Sequence, residues 1–242
     1  MERVRAARPA LVALVAPAGF GKSTFVAQLI RGERAGVCDC SGVTSDLELA
    51  RRLLPALAEE DPDRTARLSQ SETVLGEGDG SNADRLEVAL EAWRRRGAES
   101  WFVFENAEHA IALPGPRDFL TKLLASRPEP RTVALCSRRP LPMHLSRFAA
   151  PHRIVTLRAA DLAFTGEEIA GIFAPSRTPP AVVARVATLS AGWPIAVLLL
   201  ARFAAERRLE PLLDALDDVA YDELHEYLAD QVLGDAPRAV TD

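Results

Sequence analysis

The sequence is poor in cysteine and has no long apolar segment. Its three cysteines, Cys38, Cys40 and Cys136, are an odd number without the spacing of a metal site, which is typical of proteins in a reducing compartment. The longest apolar run, Pro194–Leu200, is much shorter than the ~20 residues that a membrane helix requires. Residues 1–9 lack the pattern of a signal peptide. These absences predict a cytoplasmic protein without a disulfide framework or a membrane span.

Lysine is also scarce, because only Lys22 and Lys122 stand among 29 basic residues. The 34 acidic residues give a net charge of −5, which does not indicate nucleic-acid binding. The four histidines have no ligand spacing with one another or with the cysteines, so no metal other than Mg²⁺ is expected. A hydrophobic content of 48% and a charged content of 26% are ordinary for a globular protein and argue against disorder or a coiled coil.

Short apolar segments alternate with amphipathic ones through the first two thirds of the chain. Five segments have the pattern of short strands, most of them apolar enough to be buried on both faces: 11–16, 36–40, 101–104, 132–136 and 153–157. Helical patterns lie between them, one of them capped by Asp46. The alternation predicts an α/β fold with a five-stranded parallel sheet and helices on both faces.

Only helical patterns follow residue 157, so we predict a domain boundary near residue 158 with a small all-helical domain after it. Residues 69–82 are rich in glycine and small polar side chains and predict a mobile surface loop.

Residues 16–24, APAGFGKST, match the phosphate-loop pattern G-x-x-x-x-G-K-[ST] with alanine at its first position. Glycine is needed where the backbone curls so that successive N–H groups face one anion, and the following helix adds its positive end. In this pattern the lysine reaches the β- and γ-phosphates and the next hydroxyl ligates Mg²⁺. The predicted nucleotide-binding residues are Pro17, Ala18, Gly19, Phe20, Gly21, Lys22, Ser23 and Thr24, with Ser23 as a metal ligand.

The identity of the base is predicted by elimination. Guanine-binding proteins of this class usually carry Asn-Lys-x-Asp, and the one remaining lysine, Lys122, lies in Thr-Lys-Leu-Leu. Adenine, and therefore ATP or ADP, is favoured.

A P-loop NTPase also needs a carboxylate at the end of a buried strand to hold Mg²⁺, often followed by an acid that polarises water. Glu105 and Asn106 occupy these two positions after the apolar segment 101–104. Glu105 supplies the anionic oxygen for the metal, but an amide at Asn106 has no useful basicity. Glu108 substitutes for it only if the loop brings it near. The pattern predicts nucleotide binding with slow or absent hydrolysis.

The fourth predicted strand ends in Ser137-Arg138-Arg139-Pro140. In a parallel sheet this tip lies at the carboxyl edge, beside the phosphate loop. Arg138 can donate two hydrogen bonds to a γ-phosphate and so distinguish ATP from ADP, which makes it a catalytic candidate beside Glu105 and Asn106. A solvated arginine pair on a loop is the alternative.

Four segments occur together: APAGFGKST, CSRRP after the fourth strand, DLAFTGEEI at 161–169 and AGWPIA at 191–196. Over roughly residues 9–233 the chain thereby resembles the ATPase domain of MalT-type (large LuxR-family) transcriptional activators, which belong to the STAND class of signal-transduction NTPases. The resemblance implies a switch controlled by ATP and ADP. It implies a P-loop nucleotide-binding core at 1–158, a helical lid at 159–230 and the start of a winged-helix domain at 231–242.

The resemblance also implies roles for single residues and partners. Arg138 corresponds to the nucleotide sensor, and Pro194 of Gly192-Trp193-Pro194 lies by the nucleotide. A helix end at Gly192 and a helix start at Pro194 explain that motif equally well. We expect a protein partner or further C-terminal domains, and self-association that depends on nucleotide. Direct DNA contact by this segment is not expected, because no recognition helix can be assigned.

The chain departs from the family at the acid pair, and two alternatives to the switch function remain open. The family usually has two aspartates where this chain has Glu105 and Asn106. An active P-loop ATPase, with Glu105 or Glu108 as the base, is one alternative to the switch. A protein-interaction module that keeps an ATPase-like fold but needs no nucleotide is the other.

Overall fold

The computed structural model describes residues 1, 4, 7, 9–60, 82–95, 100–209, 211 and 213. The chain divides into two compact units. The first contains residues 1–18 and 22–159, and the second contains residues 19–21 and the chain from residue 160 onward. The predicted loop at 69–82 falls outside the described residues except for Asn82, and the predicted winged-helix start at 231–242 falls outside them entirely.

The first unit is built on a five-stranded sheet, as the sequence predicts. Its strands are β1 (Leu11–Val15), β2 (Ala35–Asp39), β3 (Trp101–Glu105), β4 (Thr132–Ser137) and β5 (Ile154–Arg158). All neighbouring strands pair in parallel, in the order β2-β3-β4-β1-β5. This order inserts β4 between β1 and β3, which the alternation of patterns alone does not reveal.

Helices cover both faces of this sheet. They are α1 (Lys22–Leu29), α2 (Asp46–Glu60), α3 (Asn82–Arg95), α4 (Ala107–Ala112) and α5 (Pro114–Ala125). The apolar side of α1 packs against alternate residues of β1, β3 and β4, while α2, α3 and α5 pack on the opposite face. Between β4 and β5 the chain forms two short 3₁₀ turns, at Leu145–Arg147 and Pro151–Arg153, and no α-helix.

The cap of α2 differs by one residue from the sequence prediction. Asp46 is the first helical residue, and the Oγ of Ser45 accepts a hydrogen bond of 3.1 Å from the backbone N–H of Glu48. Ser45 is therefore the N-cap, because its side chain satisfies an amide that has no partner within the helix.

An aromatic cluster fills the core between α3, β3 and α5. Trp93 is fully buried and its Nε1 donates a hydrogen bond of 2.8 Å to the carbonyl of Leu123. Its ring meets Phe102 edge-on, with the ring centroids 5.1 Å apart. The guanidinium of Arg131, also fully buried, lies 4.6 Å from the Trp93 ring centroid. A cation over an aromatic face is attracted by the ring quadrupole, so the Trp93 ring helps to stabilise this buried charge.

The second unit is helical in its described part. After α6 (Ala159–Leu162), which spans the division between the units, it contains α7 (Gly166–Phe173), α8 (Pro180–Ser190) and α9 (Pro194–Ala205). A capping box starts α7: Thr165 Oγ1 accepts from the Glu168 amide, and Glu168 accepts in return from the Thr165 amide. None of the described helices is long and apolar enough to cross a membrane.

Gly36 on β2 lies in close contact with α2 and β3. A Cβ there would lie 2.5 Å from the carbonyl oxygen of Ala56 and 2.7 Å from Cε2 of Phe102. We expect Gly36→Ala to lower the free energy of unfolding by about 1–3 kcal/mol, because the backbone of α2 must shift. Gly115→Ala is the matched control, since its Cβ would meet Asp46 at an ordinary 3.6 Å. Chemical denaturation of both variants tests this; equal stabilities would contradict the close approach.

Candidate functional site

The carboxyl ends of four neighbouring strands meet at one edge of the sheet. β1 leads into the phosphate loop, while β2, β3 and β4 end at Asp39, Glu105 and Ser137. Asp39 and Glu105 are register partners, and the Ala16 amide bonds the Ser137 carbonyl at 3.1 Å. Because all strands run in the same direction, their terminal side chains are held next to the phosphate loop.

The Lys22 side chain folds back onto the start of the phosphate loop. Its Nζ donates hydrogen bonds of 2.7 Å to the carbonyl of Ala16 and 3.0 Å to that of Pro17. Ala18 follows and is exposed, while Ser23 and Thr24 stand exposed in the first turn of α1. The first turn therefore presents its hydroxyls and backbone N–H groups at the solvent-facing end of the helix, which is where helices bind anions.

Two positive groups lie close together at this edge. Burial lowers the pKa of Lys22 below its ordinary value, and the guanidinium of Arg138 lowers it further, against opposing effects of Glu108, Cys136 and Glu105. Arg138 follows β4 as the sequence predicts and is close enough to act on the ammonium group electrostatically. An anion bound beside Lys22 would offset the cost of burying its charge and would weaken its repulsion with Arg138.

The two predicted metal ligands are in contact. Ser23 Oγ donates a hydrogen bond of 3.0 Å to Oε2 of Glu105. Burial raises the pKa of Glu105, although the hydrogen bond from Ser23 and the charge of Lys22 oppose that shift. One hydroxyl and one carboxylate at this separation form a set of hard oxygen donors, which is what Mg²⁺ prefers. The residues present therefore fit the ion that the phosphate-loop pattern calls for.

Asn106 holds two strand ends together. Its backbone is left-handed, at φ 51° and ψ 40°. Its Nδ2 donates hydrogen bonds of 2.9 Å to Oδ1 of Asp39 and 2.8 Å to Oγ of Ser41. The Asn106 side chain therefore links the residue after β3 to the end of β2 and the residues that follow it. We call these two hydrogen bonds the Asn106 clamp.

Asp39 and Ser41 belong to this site, and the sequence analysis did not single them out. Burial favours a higher pKa for Asp39, but hydrogen bonds from Asn106 and Ser41 outweigh it, so the pKa lies below its ordinary value. The only signal in the sequence was an aspartate at the end of a predicted strand. That signal becomes informative once the sheet order places β2 beside β3.

Glu108 and Arg138 form a long ion pair across the site. Oε1 of Glu108 lies 4.0 Å from Nε of Arg138. The Glu108 side chain is 15% exposed and that of Arg138 is 59% exposed. Both carboxylate oxygens of Glu108 are buried and accept no hydrogen bond from the residues that the structure describes. The chain after β3 therefore brings Glu108 close to Arg138.

In the second unit, the start of α9 packs on the middle of the phosphate loop. The Ile195 amide donates a hydrogen bond of 3.2 Å to the Gly19 carbonyl, and the rings of Phe20 and Trp193 have centroids 6.4 Å apart. A Cβ at Gly19 would lie 2.4 Å from Cγ2 of Ile195, and φ is +76° there, so only glycine fits.

The remaining predicted residues are placed as follows. Gly21 also has a positive φ, of 72°, and a Cβ there would meet nothing within 4 Å. Pro194 is the buried first residue of α9, between the two residues that contact the loop. The structure thus assembles Lys22, Ser23, Glu105 and Arg138 in the first unit.

Comparisons with known proteins relate this geometry to a fold. No family model matches the chain, and no curated protein matches its sequence. Among solved structures, the Orc1 protein of Aeropyrum pernix, determined in complex with DNA, matches with a TM-score of 0.51 and 16% identity. That match covers 84% of this chain and 55% of the Orc1 chain, so this chain spans about half the length of that protein.

The Walker-type ATPase PABY2304 of Pyrococcus abyssi matches with a TM-score of 0.52 and 14% identity, over 96% of this chain and 71% of that one. At these identities the similarity concerns the fold. Together with the sheet order and the phosphate loop, it shows that the chain has the α/β fold of P-loop NTPases.

Asn106 allows a test of the clamp. In Asn106→Asp a second carboxylate would face Asp39 at the 2.9 Å separation of the present hydrogen bond. We expect the variant to lose about 1–3 kcal/mol of unfolding free energy at pH 7. Repulsion within the pair would raise one folded-state pKa above its unfolded value. The loss is therefore present at neutral pH, shrinks as the pH falls through that raised pKa and is gone below the unfolded value of about 3.9.

Asn106→Gly is the control, because glycine adopts the left-handed backbone and removes the amide without adding a charge. Its destabilisation should change less between pH 7 and pH 4 than that of Asn106→Asp, because it removes one hydrogen bond to Asp39 without adding a second carboxylate. Chemical denaturation at pH 7 and pH 4 measures both variants, and an Asp variant as stable as the wild type at pH 7 would rule out the contact with Asp39.

Proposed function

We propose that this chain is the ATP-binding switch domain of a cytoplasmic transcription regulator of the MalT type, with slow or impaired hydrolysis. One observation carries the proposal: Lys22, Ser23, Glu105 and Arg138 meet at the carboxyl edge of a P-loop NTPase sheet. The four sequence segments shared with MalT-type activators support the family. The fold is also that of a protein described as a Walker-type ATPase, which supports a nucleotide as the ligand.

The nucleotide would be held by its phosphates. The N–H groups of residues 18–24 face the phosphate chain, and the ammonium of Lys22 neutralises its terminal part. Ser23 and Glu105 would hold Mg²⁺, which supplies charge neutralisation between the β- and γ-phosphates. The hydrogen bond between these two side chains supports this assignment, because it keeps both oxygens at one place before any ion binds. Arg138 donates to the γ-phosphate and thereby reports ATP.

Hydrolysis would be slow because the position for a general base is occupied by Asn106. The amide cannot accept a proton at neutral pH, and both of its N–H contacts are directed to Asp39 and Ser41. ATP then acts as a ligand that persists, and loss of the γ-phosphate removes the contact with Arg138. Such a change shifts the balance between two conformations.

The helical part from residue 160 would act as the lid that responds to this change. The Ile195 amide, next to Pro194, donates a hydrogen bond to the Gly19 carbonyl and so connects this helical part to the phosphate loop. The response would pass to a partner protein, to C-terminal domains outside this segment or to a second copy of the chain. The Orc1 structure was determined with DNA, but this segment has a net charge of −5 and no assignable recognition helix. We therefore assign DNA contact elsewhere.

Lys22→Ala tests the site directly. We expect no measurable ATP binding at concentrations that saturate the wild type, because the variant lacks the one ammonium group in the phosphate loop. Lys122→Ala is a matched control, since Lys122 is the only other lysine and lies exposed on α5. Calorimetric titration with Mg-ATP measures both variants. Wild-type affinity in Lys22→Ala would show that the phosphates bind elsewhere.

Turnover distinguishes the switch from its alternatives. We expect freshly purified protein to carry ADP or ATP in native mass spectrometry and to release phosphate from ATP only very slowly. Steady and rapid phosphate release would favour the active ATPase. Absence of bound nucleotide, together with a melting temperature that Mg-ATP does not change, would favour the protein-interaction module.

A further inference from the structure

The ion pair between Glu108 and Arg138 connects the loop after β3 with the tip of β4. Glu108 lies in the first turn of α4, two residues after Asn106, and Arg138 directly follows Ser137. The two side chains approach to 4.0 Å, which is the limit of an ion pair and too long for a hydrogen bond. The contact is therefore electrostatic and uses no N–H donor of the guanidinium.

The carboxylate of Glu108 is in an unusual environment for a charged group. Both of its oxygens are buried without a hydrogen bond from any described residue. A buried carboxylate normally accepts several hydrogen bonds, because its desolvation is costly otherwise. The positive charge of Arg138 is its identified counter-ion. Glu108 thus depends on an arginine that is itself more than half exposed and able to turn to another anion.

The same pair acts on the phosphate loop. Arg138 lowers the pKa of Lys22, and Glu108 raises it, so both groups lie within electrostatic range of that ammonium. Glu108 also lines, with Arg138 and Arg139, a cavity of about 460 Å³ between α4 and the chain after β4. Glu108 and Arg138 therefore line this cavity and also act electrostatically on the ammonium group of the phosphate loop.

We propose that Glu108 is a specificity-determining residue, whose carboxylate competes with the γ-phosphate of a nucleoside triphosphate for Arg138. The inference rests on the proposed function of this site as an ATP/ADP switch. A phosphate offers Arg138 two charge-assisted hydrogen bonds, whereas Glu108 offers a long ion pair without one. A nucleoside diphosphate has no γ-phosphate and therefore does not compete with Glu108 for Arg138. Glu108 therefore weakens triphosphate binding selectively and sets the ratio of the affinities for ATP and ADP.

The test compares these affinities in a double-mutant cycle. Binding of a non-hydrolysable ATP analogue and of ADP, each with Mg²⁺, is measured by calorimetry for the wild type, Glu108→Gln, Arg138→Ala and the double variant. Glu108→Gln should raise the preference for the analogue over ADP by about three- to fivefold, the range of a partly exposed ion pair. Arg138→Ala should lower the preference. Adding Glu108→Gln to Arg138→Ala should change nothing further.

Two further variants serve as controls. Arg139→Ala removes the neighbouring charge and should leave the effect of Glu108→Gln intact. Glu108→Asp keeps the charge but shortens the side chain, so the preference should rise by less than in Glu108→Gln. It also provides a second measurement should Glu108→Gln be unstable. Melting temperatures of all variants identify any loss of fold.

Each other outcome overturns the inference in a recognisable way. A shift that persists in the Arg138→Ala background would mean simple repulsion between Glu108 and phosphate. Unchanged affinities with loss of phosphate release would make Glu108 the base of an ATPase. An equal change for both nucleotides would indicate a structural role. If the wild type binds neither nucleotide, the proposed function itself fails. If Glu108 is the base of an ATPase, the proposed slow hydrolysis fails, whereas the remaining outcomes leave the proposed function intact.

Discussion

The insertion of β4 between β1 and β3 is the constraint on which the candidate site depends. A parallel sheet gathers all strand ends at one edge, but the order of the strands decides which ends are neighbours. Here the phosphate loop after β1 stands next to Arg138, and Glu105 stands on the other side of β4. The end of β4, and Arg138 after it, therefore lies between the phosphate loop and Glu105 along this edge.

The charged groups at this edge differ in how far internal partners satisfy them. Lys22 and Arg138 repel each other. The three acids lie on different elements: Asp39 at the end of β2, Glu105 at the end of β3 and Glu108 on α4. Asp39 is satisfied by Asn106 and Ser41, and Glu105 is bonded to Ser23, whereas Glu108 has only a long ion pair. This distribution of charge supports the proposal that the site binds a nucleotide together with Mg²⁺.

Local patterns were sufficient to predict the strands and the α/β fold. The phosphate loop could be identified because its glycines, Lys22 and Ser23 are adjacent in sequence, and Arg138 because it directly follows a buried strand. The clamp formed by Asn106 could not be predicted, since it joins residues 67 positions apart and requires the pairing of β2 with β3. The cap of α2 was misplaced by one residue, because Ser45 and Asp46 are both good caps and only backbone geometry separates them.

The clamp also constrains how this chain could change over evolution. An acid at position 106 is what a hydrolytic P-loop protein uses, yet here that position faces the carboxylate of Asp39 across a strand boundary. Asp39 would have to be neutralised before the acid pair could be installed, so the order of the two substitutions matters. The neighbouring strand thereby makes an acid at position 106 difficult to introduce by a single substitution.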